Sequence, residues 1–298
     1  MARGYQIQDI KQKLVDILAE SKTGLSGVEI SEKLGVNRVT MTKYLNIFAT
    51  EGMIRQKNIG NVNLWFIEED SEQFEFPNDY FVVKTKFLEL LTARNEQKVF
   101  NLLKNCIHSQ ANIPKLITEV ILPAVESVEE LFLQGKITKS EEKFLNQIIS
   151  SSIQLLNHLP AEIEQRKNVI IISADAQSTL KAEAASTSFH SMGWNVSFLG
   201  DMSDAIDVMF DLDLQKFLGN VWTKKNGIMI IIIFSKTAEG LKFFSQAVNS
   251  FKGKFGKNLN LVLYSDIKKK SVAKSDLISD NLESVLQWSE STFEHYTA

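Results

Sequence analysis

Two sets of residues have the types and spacing to do chemistry, one basic and near the N-terminus, the other polar and near the C-terminus. Arg38, Val39, Thr40, Thr42 and Lys43 fall in one short stretch after Asn37, and Arg55 and Lys57 follow soon after. Guanidinium, ammonium and hydroxyl donors on one helical face suit phosphate oxygens and base edges. The polar set is Asp175, Gln177, Ser178, Ser235, Thr237, Ser265 and Asp266, each just beyond an apolar run. In an open α/β sheet such positions gather at the carboxyl ends of the strands, where they could hydrogen-bond a small polar ligand or serve only as polar loop residues.

Catalytic and metal chemistry finds little support. The histidines, at 108, 158, 190 and 295, are not beside a strand-to-helix serine turn, so no nucleophile, base and orienting acid are assembled. There is no Gly-x-x-x-x-Gly-Lys-Ser/Thr loop and no Gly-x-Gly-x-x-Gly after a strand. Cys106, the single cysteine, excludes an intramolecular disulfide and a cysteine-based zinc site. It lies in an apolar helical stretch and reads as a buried, inert thiol. Haem is a weaker idea that would draw on His190, before Met192-Gly193-Trp194, or on His108 and His158. Isolated histidines are more often structural. No enzyme and no metal site is expected.

The elements that must position these residues follow from periodicity and capping. Ser26 and Glu29 form a capping box for a helix through Leu34, Gly35-Val36 makes the turn, and Asn37 caps a second helix, Arg38 to Glu51, ending at Gly52. Met41, Leu45 and Phe48 form its buried stripe against Ile30 and Leu34, which leaves Arg38, Val39, Thr40, Thr42 and Lys43 outward. Strands are expected at Met53–Gln56 and Val62–Ile67, joined by Lys57-Asn58-Ile59-Gly60-Asn61. Glu68-Glu69-Asp70-Ser71-Glu72 and Phe76-Pro77-Asn78-Asp79 read as a linker. From Asp79 to Leu159 the pattern is helical, four helices broken near Thr92-Ala93, Ala111-Asn112 and Gly135. Val99, Leu102, Leu103 and Ile107 make one stripe, Phe144, Ile148, Ile149, Ile153 and Leu156 another, and Thr138 with Glu141 gives a capping box. Beyond Pro160, strands at Val169–Ser173, Val196–Leu199, Ile228–Phe234 and Leu259–Tyr264 alternate with helices, the last about Asp276–Ser291. That alternation indicates a parallel sheet covered on both faces. Lys268-Lys269-Lys270 reads as a solvated loop.

Length and composition agree with several globular domains: 298 residues, 44% hydrophobic and 23% charged, net charge −3. With that charge, nucleic-acid binding must rest on a local basic surface. Met1 to Ile10 has no apolar signal core, and Ile228–Phe234 is far too short to span a bilayer, so a cytoplasmic protein without membrane contact is expected.

The segment Ile30-x-x-x-Leu34-Gly35-Val36, with Leu45-x-x-Phe48-x-x-x-Gly52-Met53-Ile54, resembles the winged helix-turn-helix of many prokaryotic regulators. The remainder of the chain resembles the helical cap and Rossmann-like domain of cobalamin-binding proteins. The likeness runs from Ile121-Leu122-Pro123-Ala124 through Glu129–Thr138 to Glu141-Glu142-Lys143, then over Val169-Ile170-Ile171, Gly193–Val196 and Leu199-Gly200-Asp201. Several cobalamin-sensing repressors join the same pair to an N-terminal helix-turn-helix. The family motif Asp-x-His-x-x-Gly falls on Asp175–Leu180, with Gln177 in place of the cobalt-ligating histidine and Leu180 in place of the glycine. Its Ser-x-Leu falls on Ser235-Lys236-Thr237 and its Gly-Gly on Tyr264-Ser265. In the cap, the expected tryptophan falls on Phe132 and the Glu-His pair on Glu142-Lys143. Cobalamin held by a lower histidine is therefore not expected.

The resulting expectation is a multidomain α and α/β chain. It has an N-terminal winged helix (1–70), a central four-helix bundle (79–160) and a C-terminal Rossmann-like, flavodoxin-like parallel sheet (166–298). Its function would be DNA-binding transcription regulation, with the cobalamin-binding-like module as a small-molecule sensor or oligomerisation domain. The partners would be double-stranded DNA, further copies of the chain as a homodimer or higher homo-oligomer, and a small-molecule effector. The candidate ligand residues are the polar set with Phe132 and Glu142. A protein-interaction adaptor with a degenerate cofactor domain, and an atypical corrinoid-binding protein, remain as alternatives.

Overall fold

The computed structural model describes residues 7–21, 23–50, 53–60, 62–67, 72–205, 209–222, 226–266 and 274–297. Contacts divide the chain into two units, residues 1–75 with 100–110 and residues 76–99 with 111–298.

The first unit begins with α1 (Ile7–Ala19), β1 (Leu25–Ser26), α2 (Gly27–Leu34), α3 (Arg38–Thr50), β2 (Arg55–Ile59) and β3 (Val62–Phe66). Ile10, Leu14 and Leu18 recur every fourth residue and so put one stripe of α1 into the core. The Ser26–Glu29 capping box closes α2 at its start, and Gly35, at φ 63°, ends it in the left-handed region open to glycine. Asn37 Oδ1 accepts the Val39 amide at 2.9 Å, which fixes the start of α3. Met41, Leu45 and Phe48 are buried with Ile30 and Trp65, as the helical period requires. The strands form an antiparallel sheet in the order β1-β3-β2.

Two details differ from expectation. β2 starts later, because Met53 and Ile54 enter the core, and its ladder continues through Lys57↔Leu64 to Ile59↔Val62. Lys57 is thus a strand residue, and among the described residues Gly60 is what remains of the expected turn. The two-residue β1, too short for any period, pairs with Leu64 and Trp65. Glu51 and Gly52, Asn61, the acidic run 68–71 and Lys268–Lys270 lie outside the described residues.

Next come α4 (Tyr80–Thr92) and α5 (Glu96–His108), the latter divided between the units. Val99, Leu102, Leu103 and Cys106 are buried along α5. Cys106 replaces Ile107 in the stripe because seven residues bring it back to within about 20° of Val99, while eight overshoot by about 80°.

The second unit continues with α6 (Ile113–Leu116), a π turn at Ile117–Ile121, α7 (Leu122–Leu133) and α8 (Lys139–Asn157). Thr138 and Glu141 form the expected capping box. The buried stripe of α8 starts from Leu145 and runs through Ile148, Ile149, Ile153 and Leu156. Phe144, one residue and about 100° aside, is 46% exposed.

The sheet domain comprises β4 (Lys167–Ser173), α9 (Thr179–Ser191), β5 (Asn195–Asp201), α10 (Phe210–Val221), β6 (Ile228–Phe234), α11 (Ala238–Phe255), β7 (Leu259–Tyr264), β8 (Leu277–Ser279) and α12 (Leu282–Thr297). All five strands are parallel, in the order β5-β4-β6-β7-β8. Ile170, Ile172, Met229, Ile231, Ile233, Leu261 and Leu263 share a core with α10 and α11. By the two-residue period, Phe234 and Tyr264 face the other side, which α9 and α12 cover. β6 is buried throughout, as a central parallel strand must be. The last helix starts six residues later than expected. Asp276 instead accepts the Leu261 amide at 2.6 Å and pairs with Lys252, which seats the short β8. This is a Rossmann-like sheet with a helical cap, and its order of strands reverses between β4 and β6. No helix among the described residues is long and apolar enough to cross a membrane.

Candidate functional site

At the switch point, the loops after β4 and β6 are held together by one carboxylate. Asp175 Oδ1 accepts the Ser178 amide at 2.9 Å and its hydroxyl at 2.8 Å. Oδ2 accepts the Ser235 hydroxyl and the Lys236 amide, both at 2.8 Å. Thr237 caps α11 through Gly240 N at 3.1 Å. Gly240 must be glycine for this packing, since a Cβ there would lie 2.8 Å from both Ser235 Oγ and Thr237 Oγ1.

Beside these loops is a cavity of about 190 Å³. Of the expected polar set, Ser178, Ser235, Ser265 and Asp266 line it. Asp175 acts one step back, through Ser178 and Ser235. Gln177 and Thr237 are exposed and are not among the lining residues. Glu126, Lys181, Phe234, Lys236, Tyr264 and Asp280 complete the wall and were missed as site residues. Lys236 and Tyr264 stand inside the aligned motifs and Phe234 ends an expected strand, whereas Lys181, Asp280 and Glu126 had no local signal.

The cap closes directly on this edge of the sheet. Glu126 of α7 pairs with Lys181 at 3.2 Å, and Glu129 of α7 pairs with Lys236. Tyr264 stacks on Phe234 with ring centroids 4.4 Å apart. Burial, then the Glu126, Asp280 and Asp266 carboxylates, raises the Tyr264 pKa, so the phenol stays protonated. Phe132 and Glu142 do not reach the cavity. They meet at the α7–α8 turn through Lys139, whose ammonium lies 4.5 Å from the Phe132 ring and 2.5 Å from the Glu142 carboxylate. His190 is hydrogen-bonded to the Leu159 carbonyl at 3.3 Å.

In the first unit, Arg38, Val39, Thr42 and Lys43 are exposed on α3, Thr40 is half-buried, and Arg55 and Lys57 are exposed on β2. Val39 is 68% exposed. Arg38, Lys43 and Lys57 make no ion pair among the described residues. A cavity of about 520 Å³ in the same unit, bordered by Val15, Phe48, Met53 and His108, contains none of the expected residues.

Comparison with known proteins places the fold. The chain is similar in structure to the monomethylamine corrinoid protein of Methanosarcina barkeri, with a TM-score of 0.53 at 10% identity, over 70% of this chain and 97% of that one. It also matches the methanol:cobalamin methyltransferase complex of the same organism (TM-score 0.34, 14% identity, 75% of this chain and 84% of that one). A third match is human N-acetylserotonin methyltransferase (TM-score 0.22, 10% identity, 82% and 71%). The last two likenesses are too loose to carry an argument. No family model matches the chain, and no curated protein matches it by sequence. What is shown is a fold like that of corrinoid-binding proteins.

Cobalamin is the cofactor that such a fold implies, and the residues here do not fit the histidine-ligated mode. Gln177 offers an amide where an imidazole would be the ligand. Asp175, which would orient that imidazole, spends both oxygens on the loops. Two ion pairs and the Phe234–Tyr264 stack occupy the edge where cap and sheet would have to part. The remaining 190 Å³ falls below the roughly 300–1,000 Å³ typical of pockets for drug-sized ligands.

Proposed function

We propose that the chain is a non-enzymatic, cytoplasmic, DNA-binding transcription regulator, a winged helix-turn-helix joined to a corrinoid-fold module that serves as a sensor or oligomerisation domain. The observation that carries this reading is the exposed N-terminal half of α3. Capping by Asn37 and burial of Met41, Leu45 and Phe48 turn Arg38, Val39, Thr42 and Lys43 outward. In helix-turn-helix proteins that end of the second helix enters the major groove, and a β-hairpin supplies flanking phosphate contacts. Here β2 would do so with Arg55 and Lys57. The comparisons bear on the corrinoid-like fold and give no support to DNA binding, which rests on this face alone.

The test is recovery of genomic DNA bound to the tagged protein, beside the Arg38→Ala/Lys43→Ala variant. Discrete sites lost in the variant are expected. Background recovery from both would make the first unit a protein-docking module.

The second reading is an atypical corrinoid-binding protein, favoured by a match that spans 97% of a corrinoid protein. Mixing the purified chain with hydroxocobalamin and desalting it decides the matter, because a retained red chromophore would establish this reading. On the first reading the eluted protein is colourless.

A further inference from the structure

We propose that the cavity at the carboxyl ends of β6, β7 and β8 binds a small organic ammonium, neutralised by the Asp266 and Asp280 carboxylates and hydrogen-bonded by the Tyr264 hydroxyl. Two independent observations converge here. The first is the distribution of unpaired charge. Both lysines of the wall are already engaged, Lys181 by Glu126 and Lys236 by Glu129. Asp266 and Asp280 are not ion-paired among the described residues. An anion entering the cavity would meet like charge, and an uncharged molecule would gain nothing from the two carboxylates.

The second observation is Tyr264. It is only 8% exposed and lines the cavity, yet its hydroxyl has no hydrogen-bond partner among the described residues. The ring is buried while the hydroxyl reaches the cavity, so it offers a hydrogen-bonding position to a ligand atom. Glu126, Asp280 and Asp266 line the same cavity as this phenol, and all three bear on it electrostatically. A protonated phenol can accept from an N–H⁺ donor. The cavity volume of about 190 Å³ limits the ligand to a small metabolite.

The ammonium could belong to a simple amine or to an amino acid. In the second case the ligand carboxylate would compete with Glu126 and Glu129 for Lys181 and Lys236, loosening α7 from the sheet edge. This gives the sensor module proposed above its ligand class, and it rests on that reading only for its biological meaning.

The experiment titrates the full chain calorimetrically with propylammonium, alanine and propionate at matched ionic strength. Saturable binding of propylammonium and none of propionate is expected. Alanine binding at least as tightly as propylammonium assigns the site to amino acids, and weaker binding assigns it to amines. Asp266→Asn and Asp280→Asn should each weaken binding about tenfold, and Tyr264→Phe by a similar factor. Both aspartates are exposed, so these variants fold, which unchanged circular dichroism would verify. Propionate binding as well as propylammonium, aspartate variants that bind like the parent, or no saturation by about 10 mM would each overturn the proposal. DNA recovery by the Arg38→Ala/Lys43→Ala variant is read separately, so failure of the regulator reading and failure of this site are distinguishable.

Discussion

Gln177 and Asp175 sit two residues apart and teach opposite lessons. That residue 177 is a glutamine, with an amide where histidine-ligated cobalamin would need an imidazole, is visible in the sequence. The role of Asp175 is visible only in three dimensions, where its two oxygens join Ser178 to Ser235 and Lys236. Replacing it with alanine removes the acceptor of the part-buried Lys236 amide and both hydrogen bonds to Ser178, and should destabilise the chain by about 2–3 kcal/mol, measured by urea unfolding. Introducing a histidine alone, Gln177→His, should not confer cobalamin binding, since Asp175 would still be held by Ser178, Ser235 and Lys236 and the cavity would still be only about 190 Å³. The absorbance spectrum after desalting checks this. Cys106 is fully buried, and burial pushes its thiol pKa to about 12. It should stay unreactive toward a thiol reagent at pH 8 until the protein is unfolded.

At the scale of elements, the capping boxes at Ser26 and Thr138 set where two helices begin. Ser26→Ala and Thr138→Ala should each cost about 1 kcal/mol of stability. The Thr138 backbone and side-chain hydrogen bonds hold the Glu141 carboxyl below its ordinary pKa, with Arg94 adding to the effect. A depressed folded-state value means that this contribution is complete above the ordinary carboxylate range of about 4.3 and fades as pH falls through the lower folded value. Glu141→Gln should therefore flatten the acid limb of a melting-temperature profile while lowering the plateau near neutrality. These boxes were legible because both partners lie three residues apart. β1 and β8 were not, since strands of two and three residues leave no period to detect.

At the scale of the molecule, DNA binding through α3 and β2 would be electrostatic in large part. Removing Arg38 and Lys43 together should reduce the slope of log affinity against log salt by about 2, read by fluorescence anisotropy. On the regulator reading proposed above, in which a pair of second helices reads two half-sites, the parent chain should sediment as a dimer at the concentrations used. The ion pairs that tie α7 to the sheet edge are partly exposed and should contribute no more than about 1 kcal/mol each. Such weak ties could be exchanged for contacts to a ligand, as a switch requires.

The sequence by itself determined the alternation of strands and helices and the outward placement of Arg38, Val39, Thr42 and Lys43. Both depend on residue type and on spacings of two to eight residues, the range over which helical and strand periods repeat. The tertiary structure alone decided that Glu129 meets Lys236, 107 positions away, that Tyr264 stacks on Phe234, and that Asp280 joins the same cavity. Those contacts depend on strand order and on how α7 packs over the sheet, and neither is written in local periodicity. A polar cavity is made by residues from separate strands and helices, so its charge balance exists only once the chain has closed around it.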